Sequence, residues 1–308
     1  MSKPQGLLAR AWDSDLAYSF RTTPVAIVAA LVALVIVLGA VLAPWIAPTN
    51  PYDPASLNLM DGFTPPGVEN AFTGNSYLLG TDNQGRDLFS TILYGARISL
   101  FVGVMAVLFG MVLGISAGLL AGWRGGWIDT LLMRIADVQL SFPSILIALL
   151  IFGIASGLIP PDRRETMAIW VLIIAIGLSD WVQFARVVRG ATMVEKNKEY
   201  VQAARVIGVH PFRILTRHIL PNVMGPVLVI ATISVALAII AEATLSFLGV
   251  GVPPTQPSLG TLIRQGQQYL FSGEWWILLF PSLTLLALAL SVNLLGDWLR
   301  DALNPRLK

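Results

Sequence analysis

The chain has 308 residues, of which 55% are hydrophobic and only 12% are charged, and it contains no cysteine. Its mean hydropathy is +0.72, and a soluble domain carries about twice this share of charged residues. The composition therefore indicates an integral membrane protein. The lack of cysteine excludes disulfides, thiol chemistry and cysteine-based metal sites. The formal net charge of +2 says little by itself.

Long apolar runs bounded by proline, tryptophan or charge decide the fold class. Only a helix satisfies its own backbone hydrogen bonds while it crosses lipid, at about 20 residues per span. We therefore predict an all-α, polytopic membrane protein with about six transmembrane helices. The predicted spans cover residues 25–46, 98–121, 138–158, 167–184, 223–241 and 275–295.

Lysine and arginine are distributed unevenly between the two sides of these spans, and this bias sets the orientation in the membrane. Fifteen of the 20 lie on the side of the two termini, and five lie on the other side. Both termini are therefore expected in the cytoplasm. The expected segments are an amino-terminal arm at 1–24, a transmembrane domain at 25–297, a tail at 298–308, external loops at 47–97 and 250–274, and a cytoplasmic loop at 186–221.

The amino-terminal arm carries apolar residues at intervals of four. They are Leu8, Trp12, Leu16 and Phe20. This spacing suits a helix lying in the membrane interface. An ordinary solvated arm is the alternative interpretation.

Local signals add detail along the first half of the chain. Thr81 or Asp82 is expected to cap a short amphipathic helix that begins near Leu88, outside the membrane. A GxxxG pair at 110–114 indicates close helix packing, either within the chain or at a subunit contact. Pro143 is expected to kink or start the third span.

No residue pattern in the sequence supports catalysis. A G-x-x-x-x-G-K-[ST] phosphate loop is missing, so this chain is not expected to bind ATP. His210 and His218 lack partners at metal-ligand spacing, and neither a Ser-His-Asp set nor an H-E-x-x-H motif is present. We therefore predict a non-enzymatic protein with no cofactor or metal of its own.

Two acids, Asp180 and Glu242, fall at or within apolar runs. A charge buried at membrane depth costs several kcal/mol unless it faces protein or water. Asp180 lies near the predicted cytoplasmic end of the fourth span, so it is interpreted either as an interfacial group or as a functional one. Glu242 is interpreted either as a structural, hydrogen-bonded acid or as a residue that lines a pathway.

The loop at 186–221 contains the most informative pattern, a helix, a turn and a second helix. Four residues of the first helix have i, i+3, i+4, i+7 spacing and form a narrow apolar stripe. They are Tyr200, Ala203, Ala204 and Ile207. Gly208 is expected to end this helix in a left-handed conformation, and Pro211 to open the next. The apolar face needs a partner, either the membrane domain itself or a groove on a cytoplasmic protein.

The residues of this hairpin resemble the EAA loop of bacterial ABC importer permeases. The matching residues are Gln202-Ala203-Ala204, Gly208 and Leu220-Pro221. Two positions depart from the family's pattern. Gln202 stands in place of the usual glutamate and His218 in place of isoleucine, so Gln202 can offer a hydrogen bond but no salt bridge.

Three further stretches resemble the second permease subunit of the oligopeptide and dipeptide importers. They are 79–100, with Gly-Thr-Asp-Asn-Gln-Gly-Arg-Asp, 242–251, and 293–308. A Leu259-Gly260 pair stands where the family commonly has Trp-Gly. The resemblance extends over nearly the whole chain.

This resemblance implies a type I ABC importer permease in the bacterial inner membrane. The coupling residues it implies are Glu199, Gln202, Ala203, Ala204, Gly208, Pro211 and Pro221. The expected partners are a homologous permease, two cytoplasmic ATPases that bind ATP and magnesium, a periplasmic solute-binding protein and membrane lipid, with no nucleic acid. Di- or oligopeptide is the expected substrate, although similar permeases handle nickel chelates and glutathione. The alternatives are an ion-coupled secondary transporter, which would need inverted repeats and intramembrane charges, and a scaffold without transport.

Overall fold

The computed structural model describes residues 15–53, 57–253 and 255–303. Helices form the membrane domain in these ranges. They are α1 (Asp15–Thr22), α2 (Pro24–Val41), α3 (Ala43–Ile46), α4 (Leu88–Arg124), α5 (Gly126–Leu140), α6 (Ser144–Leu158), α7 (Arg164–Glu195), α8 (Glu199–Val206), α9 (Pro211–Ile214), α10 (Leu220–Phe247), α11 (Leu259–Tyr269) and α12 (Trp276–Ala302). Within these ranges, five segments are long and apolar enough to cross a membrane, and the bent pair α5–α6 makes a sixth if it is counted as one span. The predicted all-α membrane fold is confirmed.

The third predicted span is broken rather than straight. Helices α5 and α6 meet at an angle of 98°, and the residues between them include Pro143, which has an extended backbone with ψ 132°. Proline has no N–H and disfavours helical geometry at the residue before it, so the first helix ends and a new one starts. Pro143 therefore starts α6, and the first residues of the predicted span, 138–142, belong to the preceding helix and turn.

Several helices extend well beyond the predicted spans. Helix α4 has 37 residues, about 55 Å at 1.5 Å per residue, whereas the hydrocarbon core is about 30 Å thick. The separate amphipathic helix expected near Leu88 is thus wrong, because its residues are the first turns of α4. Helix α7 continues to Glu195, so the loop expected at 186–221 begins as helix. Hydropathy reports only the part of a helix that lies in lipid.

The cap of α4 also differs from the expected one. The Asp87 carboxylate accepts a hydrogen bond from the backbone N–H of Ser90 at 2.9 Å, so Asp87 is the capping residue. Asp82 instead accepts from the backbone N–H of Arg86 at 3.0 Å and pairs with its guanidinium at 2.6 Å. Neither Thr81 nor Asp82 caps the helix, because a turn at Gly85, with φ +73°, separates them from it.

A ridge of glycines on α4 brings this helix into close contact with α7. The ridge consists of Gly110, Gly114, Gly118 and Gly122, which face backbone carbonyls of α7. A methyl group at Gly118 would lie 2.6 Å from the Ala185 carbonyl oxygen, and one at Gly110 would lie 2.8 Å from that of Gly177. Small residues four apart let two helix backbones approach closely. The expected GxxxG packing is therefore confirmed, and it joins two helices of the same chain.

The two ends of the bundle carry different structures. The segment 196–222, which we call the hairpin, lies beside the last turn of α4, where the Lys196 ammonium contacts the Gly122 carbonyl. Helix α12 ends on the same side, and its Trp298 ring packs edge-on against Phe20 of α1 at 5.1 Å. We call this side the hairpin end and the other the loop end. Leu8 and Trp12 of the predicted stripe, and residues 304–308, lie outside the described residues.

At the loop end, a buried carboxylate organises the segment before α4. Asp61 accepts hydrogen bonds from the side chains of Asn58 (3.0 Å), Asn75 (3.1 Å), Tyr77 (2.9 Å) and Thr73. Burial alone would raise the pKa of Asp61, but these donors together hold it below its ordinary value. Burial and the hydrogen bond to Asp61 raise the pKa of Tyr77 to about 12. The carboxylate therefore fixes this loop in its ionised form.

We predict that Gly118→Ala destabilises the protein by about 1–3 kcal/mol, because the added methyl group overpacks the contact with α7. Thermal unfolding of the purified protein in detergent measures the loss. The control is Gly190→Ala on α7, where a methyl group meets nothing within 4 Å. Alanine has the higher helix propensity, so this variant should be neutral or slightly more stable. Equal unfolding temperatures for the two variants would contradict the ridge.

We predict that Asp61→Asn loosens the loop, since an amide cannot accept all four hydrogen bonds and leaves buried donors unpaired at a cost of about 1–3 kcal/mol. Hydrogen exchange of residues 59–80 should accelerate about tenfold for each 1.4 kcal/mol lost. Glu69→Gln, at an exposed position in the same loop, should leave exchange unchanged. Because the folded pKa is depressed, the stabilisation is present above the ordinary value of 3.8 and is lost as the pH falls below it. Unchanged exchange in Asp61→Asn would refute this role.

Candidate functional site

The hairpin turns at Gly208, which has φ +76°. Its backbone N–H donates to the Arg205 carbonyl at 3.0 Å, and the next N–H, of Val209, donates to the Ala204 carbonyl at 3.0 Å. This pair of bonds is a Schellman ending, in which the left-handed residue is most often glycine. The predicted left-handed conformation of Gly208 is confirmed.

The second arm of the hairpin begins at Pro211, the first residue of α9. The ring Nδ1 of His210 accepts a hydrogen bond from the Phe212 N–H at 3.3 Å, so His210 caps this helix. Helix α9 runs through a π-helical segment, Leu215–Ile219, directly into α10. The hairpin's second helix is thus the start of the fifth span. Pro221 lies in the first turn of α10 rather than at the end of a separate helix. The π-helical segment just before it has irregular backbone hydrogen bonds, which accommodate the missing N–H of proline.

The faces of α8 differ from the expected stripe. Val201 and Ala204 are buried against the chain itself, at 0% and 6% exposure. Ala203 is exposed, and so are three large apolar side chains around the turn. These are Val206 (87%), Ile207 (77%) and Phe212 (69%). We call Ala203, Val206, Ile207 and Phe212 the tip patch. The predicted single stripe was wrong because α8 divides its apolar residues between two faces.

Four side chains link the hairpin to the spans on either side. The Tyr200 hydroxyl donates to the Glu195 carboxylate at the end of α7, and it accepts from the Asn222 amide of α10 at 3.2 Å. Lys198 also pairs with Glu195, at 2.6 Å. Partial burial and the Glu195 acceptor together raise the pKa of Tyr200. One hydroxyl thus ties α7, α8 and α10 together.

Two cations attach the hairpin to the end of α4. The Lys196 ammonium donates to the Gly122 carbonyl at 2.7 Å. The Arg205 guanidinium lies 4.3 Å from the centre of the Trp123 ring, a cation–π contact of about 0.5–1 kcal/mol where it is exposed. This contact was not predicted from the sequence. Trp123 at the end of an apolar run was the signal that could have indicated it.

The remaining coupling candidates lie on the outer side of α8. Glu199 opens this helix and is exposed. The Gln202 amide donates to the Asn197 carbonyl at 3.0 Å, so it bonds to the turn just before its own helix. Six of the coupling candidates therefore lie around the turn of the hairpin: Glu199, Gln202, Ala203, Ala204, Gly208 and Pro211. Pro221 lies at the far end of the hairpin, in the first turn of α10.

Glu242 lies in a closed polar cluster at the loop end of α10. It is 0% exposed, and its carboxylate accepts hydrogen bonds from Ser99 at 2.6 Å and Ser246 at 2.8 Å. The same Ser99 hydroxyl accepts from the Leu259 N–H at 3.2 Å. The cluster therefore links α4, α10 and the start of α11.

Asp180 lies midway along α7. It is about 22 Å from Glu195 at 1.5 Å per residue. The fourth span was predicted to end at residue 184, so α7 continues beyond the predicted span. Asp180 is partly exposed and lines a cavity between α6, α7 and α10.

These features define the class of protein: a membrane helix bundle with a braced, apolar-tipped hairpin between two spans. Residues 110–308 match the family described as "Binding-protein-dependent transport system inner membrane component", and residues 7–66 match the "N-terminal TM domain of oligopeptide transport permease C". The chain belongs to the first of these families, whose name describes a transport component of the inner membrane.

Individual relatives carry the names of peptide permeases. A putative peptide transport system permease protein of Brucella suis is 43% identical over 89% of this chain and 86% of its own. The dipeptide transport system permease protein DppC of Haemophilus influenzae is 38% identical over 94% of each. The oligopeptide transport system permease protein OppC of Bacillus subtilis is 37% identical over 96% of this chain and 90% of its own.

A solved structure shares the fold. An inward-facing MetNI methionine ABC transporter matches 70% of this chain and 96% of its own, with a TM-score of 0.54 at 20% identity. The likeness confirms the predicted ABC importer permease fold.

We predict that Tyr200→Phe loosens the hairpin, because it removes the hydroxyl that joins Glu195 to Asn222. Limited trypsin digestion of the purified protein should cut at Lys198 and Arg205 about fivefold faster, the effect of losing about 1 kcal/mol from one hydrogen bond. Tyr18→Phe makes the same chemical change at an exposed position of α1 and should leave the cleavage rate unchanged. Equal rates in the two variants would refute the brace.

Proposed function

We propose that the hairpin couples this permease to cytoplasmic ATPases and that their ATP-driven closure moves it as a rigid lever. The observation that carries the proposal is the tip patch, which exposes large apolar side chains on an arm outside the bundle. Such a surface fits a groove in a partner protein. The braces at Tyr200 and Arg205 would pass motion of the tip to α4, α7 and α10.

The assembly that this role requires has several subunits. A homologous permease forms the other half of the pathway in a heterodimer, and two ATPases seat the hairpins. ATP and magnesium bind to those ATPases, and this chain contributes no catalytic or cofactor-binding residue. A periplasmic solute-binding protein delivers the substrate to the loop end.

The orientation follows from the charge bias. Because lysine and arginine are concentrated at the hairpin end, this end and both termini lie in the cytoplasm of a bacterial cell. The loop end, with the Asp61 network, then faces the periplasm. This orientation puts the tip patch in the compartment that contains ATP.

Peptides are the proposed substrate. The names of the relatives support di- and oligopeptides, although another relative is named a glutathione transport system permease protein. Glutathione is itself a tripeptide, so peptide remains the common chemical class. We assign Glu242 a structural role within this permease, because three helices enclose it and hydroxyl groups satisfy its carboxylate.

An ion-coupled secondary transporter is the less favoured alternative. It would require coupling charges in the membrane interior. Of the two acids within apolar helices, Glu242 is already held by hydroxyl groups, which leaves Asp180 as the candidate. Uptake that survives depletion of cellular ATP would support this alternative. Loss of uptake on ATP depletion supports the proposed importer.

We predict that Gly208→Val and Ala203→Glu each lower ATP-driven peptide uptake by about tenfold or more while membrane insertion stays intact. Valine in a left-handed conformation costs about 1–2 kcal/mol, which distorts the turn. Glutamate puts a charge into an apolar interface, where desolvation costs several kcal/mol. Uptake by cells and the membrane level of the chain are measured together.

Two matched controls separate these effects from general damage. Gly208→Asn changes the same position to a residue that tolerates the left-handed region, so uptake should largely persist. Gln202→Glu places the same charge on the neighbouring exposed position, where the EAA loop usually has glutamate, and should be tolerated. Normal uptake in both Gly208→Val and Ala203→Glu would remove the support for coupling through this hairpin.

A further inference from the structure

A cavity of about 350 Å³ lies between α6, α7 and α10. Its polar lining comes from all three helices: Ser144 of α6, Ser179, Asp180 and Gln183 of α7, and Thr244 of α10. The rest of the wall is apolar. Polar groups that converge on one cavity within an otherwise apolar membrane domain indicate a binding site.

Asp180 forms no ion pair within the part of the chain that the structure describes. The cations that follow it on α7 are already engaged, since Arg186 pairs with Asp137 and Arg189 with Asp129, each at 2.5 Å. A carboxylate at membrane depth is costly unless it faces water or a cation. The cavity is what keeps Asp180 accessible, and it leaves room for a positively charged ligand.

The environment of Glu242 is that of a structural acid and serves as a comparison for Asp180. Its carboxylate is fully buried and accepts two serine hydroxyls, so a ligand cannot reach it. Asp180 has the opposite environment, because its side chain is partly exposed and borders the cavity. The two acids therefore differ in accessibility, although both lie within apolar helices.

The remaining polar groups can accept a further hydrogen bond. The Thr244 hydroxyl donates to the Ile240 carbonyl at 2.7 Å, and the Ser179 hydroxyl donates to the Ile176 carbonyl at 2.6 Å. Both hydroxyl oxygens therefore keep lone pairs that can accept from a ligand. The Gln183 side chain is exposed, and its amide oxygen can also accept. Acceptors around one anionic group suit an ammonium, which is a compact donor of three hydrogen bonds.

We propose that this cavity receives the protonated amino group of a peptide in transit, with Asp180 as its counter-ion. The proposal rests on the proposed peptide-import function and adds a specificity-determining residue to it. A volume of about 350 Å³ is at the low end for a ligand pocket, where about 300–1,000 Å³ is usual. The cavity therefore holds the amino end of a peptide rather than the whole peptide. The homologous permease of the proposed heterodimer completes the site.

The first experiment uses the cysteine-free sequence. Thr244→Cys is introduced into the assembled transporter, which is labelled in detergent with a cationic or an anionic methanethiosulfonate of similar size. The cationic reagent should react about five- to tenfold faster, and Asp180→Asn should abolish the preference. These reagents react only with thiols that water can reach. An unreactive cysteine would therefore show that the position faces lipid or protein, and it would overturn the proposal. Equal rates for both reagents would do the same.

The same cysteine tests the ligand's chemistry. Dialanine at millimolar concentration should slow labelling of Thr244→Cys, whereas N-acetyl-dialanine, which lacks the ammonium, should not. Protection by both peptides, or by neither, would refute recognition of the amino group.

Uptake of labelled dialanine by cells with the complete transporter gives the functional measurement. Asp180→Asn should reduce uptake about tenfold at subsaturating peptide, and Asp180→Glu, which keeps the charge, should restore most of it. Asp162→Asn, at an exposed position near the start of α7, should match the wild type. Normal uptake in Asp180→Asn would overturn this inference while leaving the importer function intact. Absence of uptake in the wild type would instead refute the proposed peptide substrate. The labelling of Thr244→Cys would then be the test of whether the cavity favours cations.

Discussion

The close approach of α4 and α7 is the constraint on which the rest of this structure depends. Four glycines, one per turn, let the backbones approach so closely that a single methyl group at Gly118 would fall 2.6 Å from a carbonyl oxygen. In lipid, helices gain little from hydrophobic burial against one another, so packing at short range is what fixes their relative position. The ridge therefore fixes the relative position of α4 and α7, the two longest helices in the described part of the chain.

Both candidate sites are built from this contact. At the hairpin end, the ridge finishes at Gly122, whose carbonyl receives Lys196, and the next residue, Trp123, lies under Arg205. Further along the contact, the stretch of α7 that faces Gly110 and Gly114 carries Asp180 on another face. A shift of α7 relative to α4 would therefore move the hairpin and the cavity together. Such a shared element is what a coupling mechanism between ATPase and pathway requires.

The sequence could predict the features that depend on local chemistry. The apolar runs located the membrane helices, Pro143 indicated the break, and Gly208 with Pro211 predicted the turn, because glycine and proline act on their own backbone. The missed features depend on tertiary contacts. No local pattern shows that the first arm of the hairpin buries Val201 and Ala204 but exposes Ile207. Nor does it show that Arg205 contacts Trp123 at the end of α4. The length of the helices beyond the bilayer was missed for a related reason, because hydropathy reports only the part of a helix that lies in lipid.

The central claim is that the tip patch contacts an ATP-hydrolysing subunit, and a crosslink from its centre tests this most directly. The chain has no cysteine, so Ile207→Cys provides one reactive thiol on the patch for a short thiol-to-amine crosslinker in the assembled transporter. Mass spectrometry then identifies the partner. The account predicts a crosslink to a cytoplasmic ATPase. Crosslinks confined to this chain, or a thiol that reacts only with reagents supplied from the periplasmic side, would contradict it.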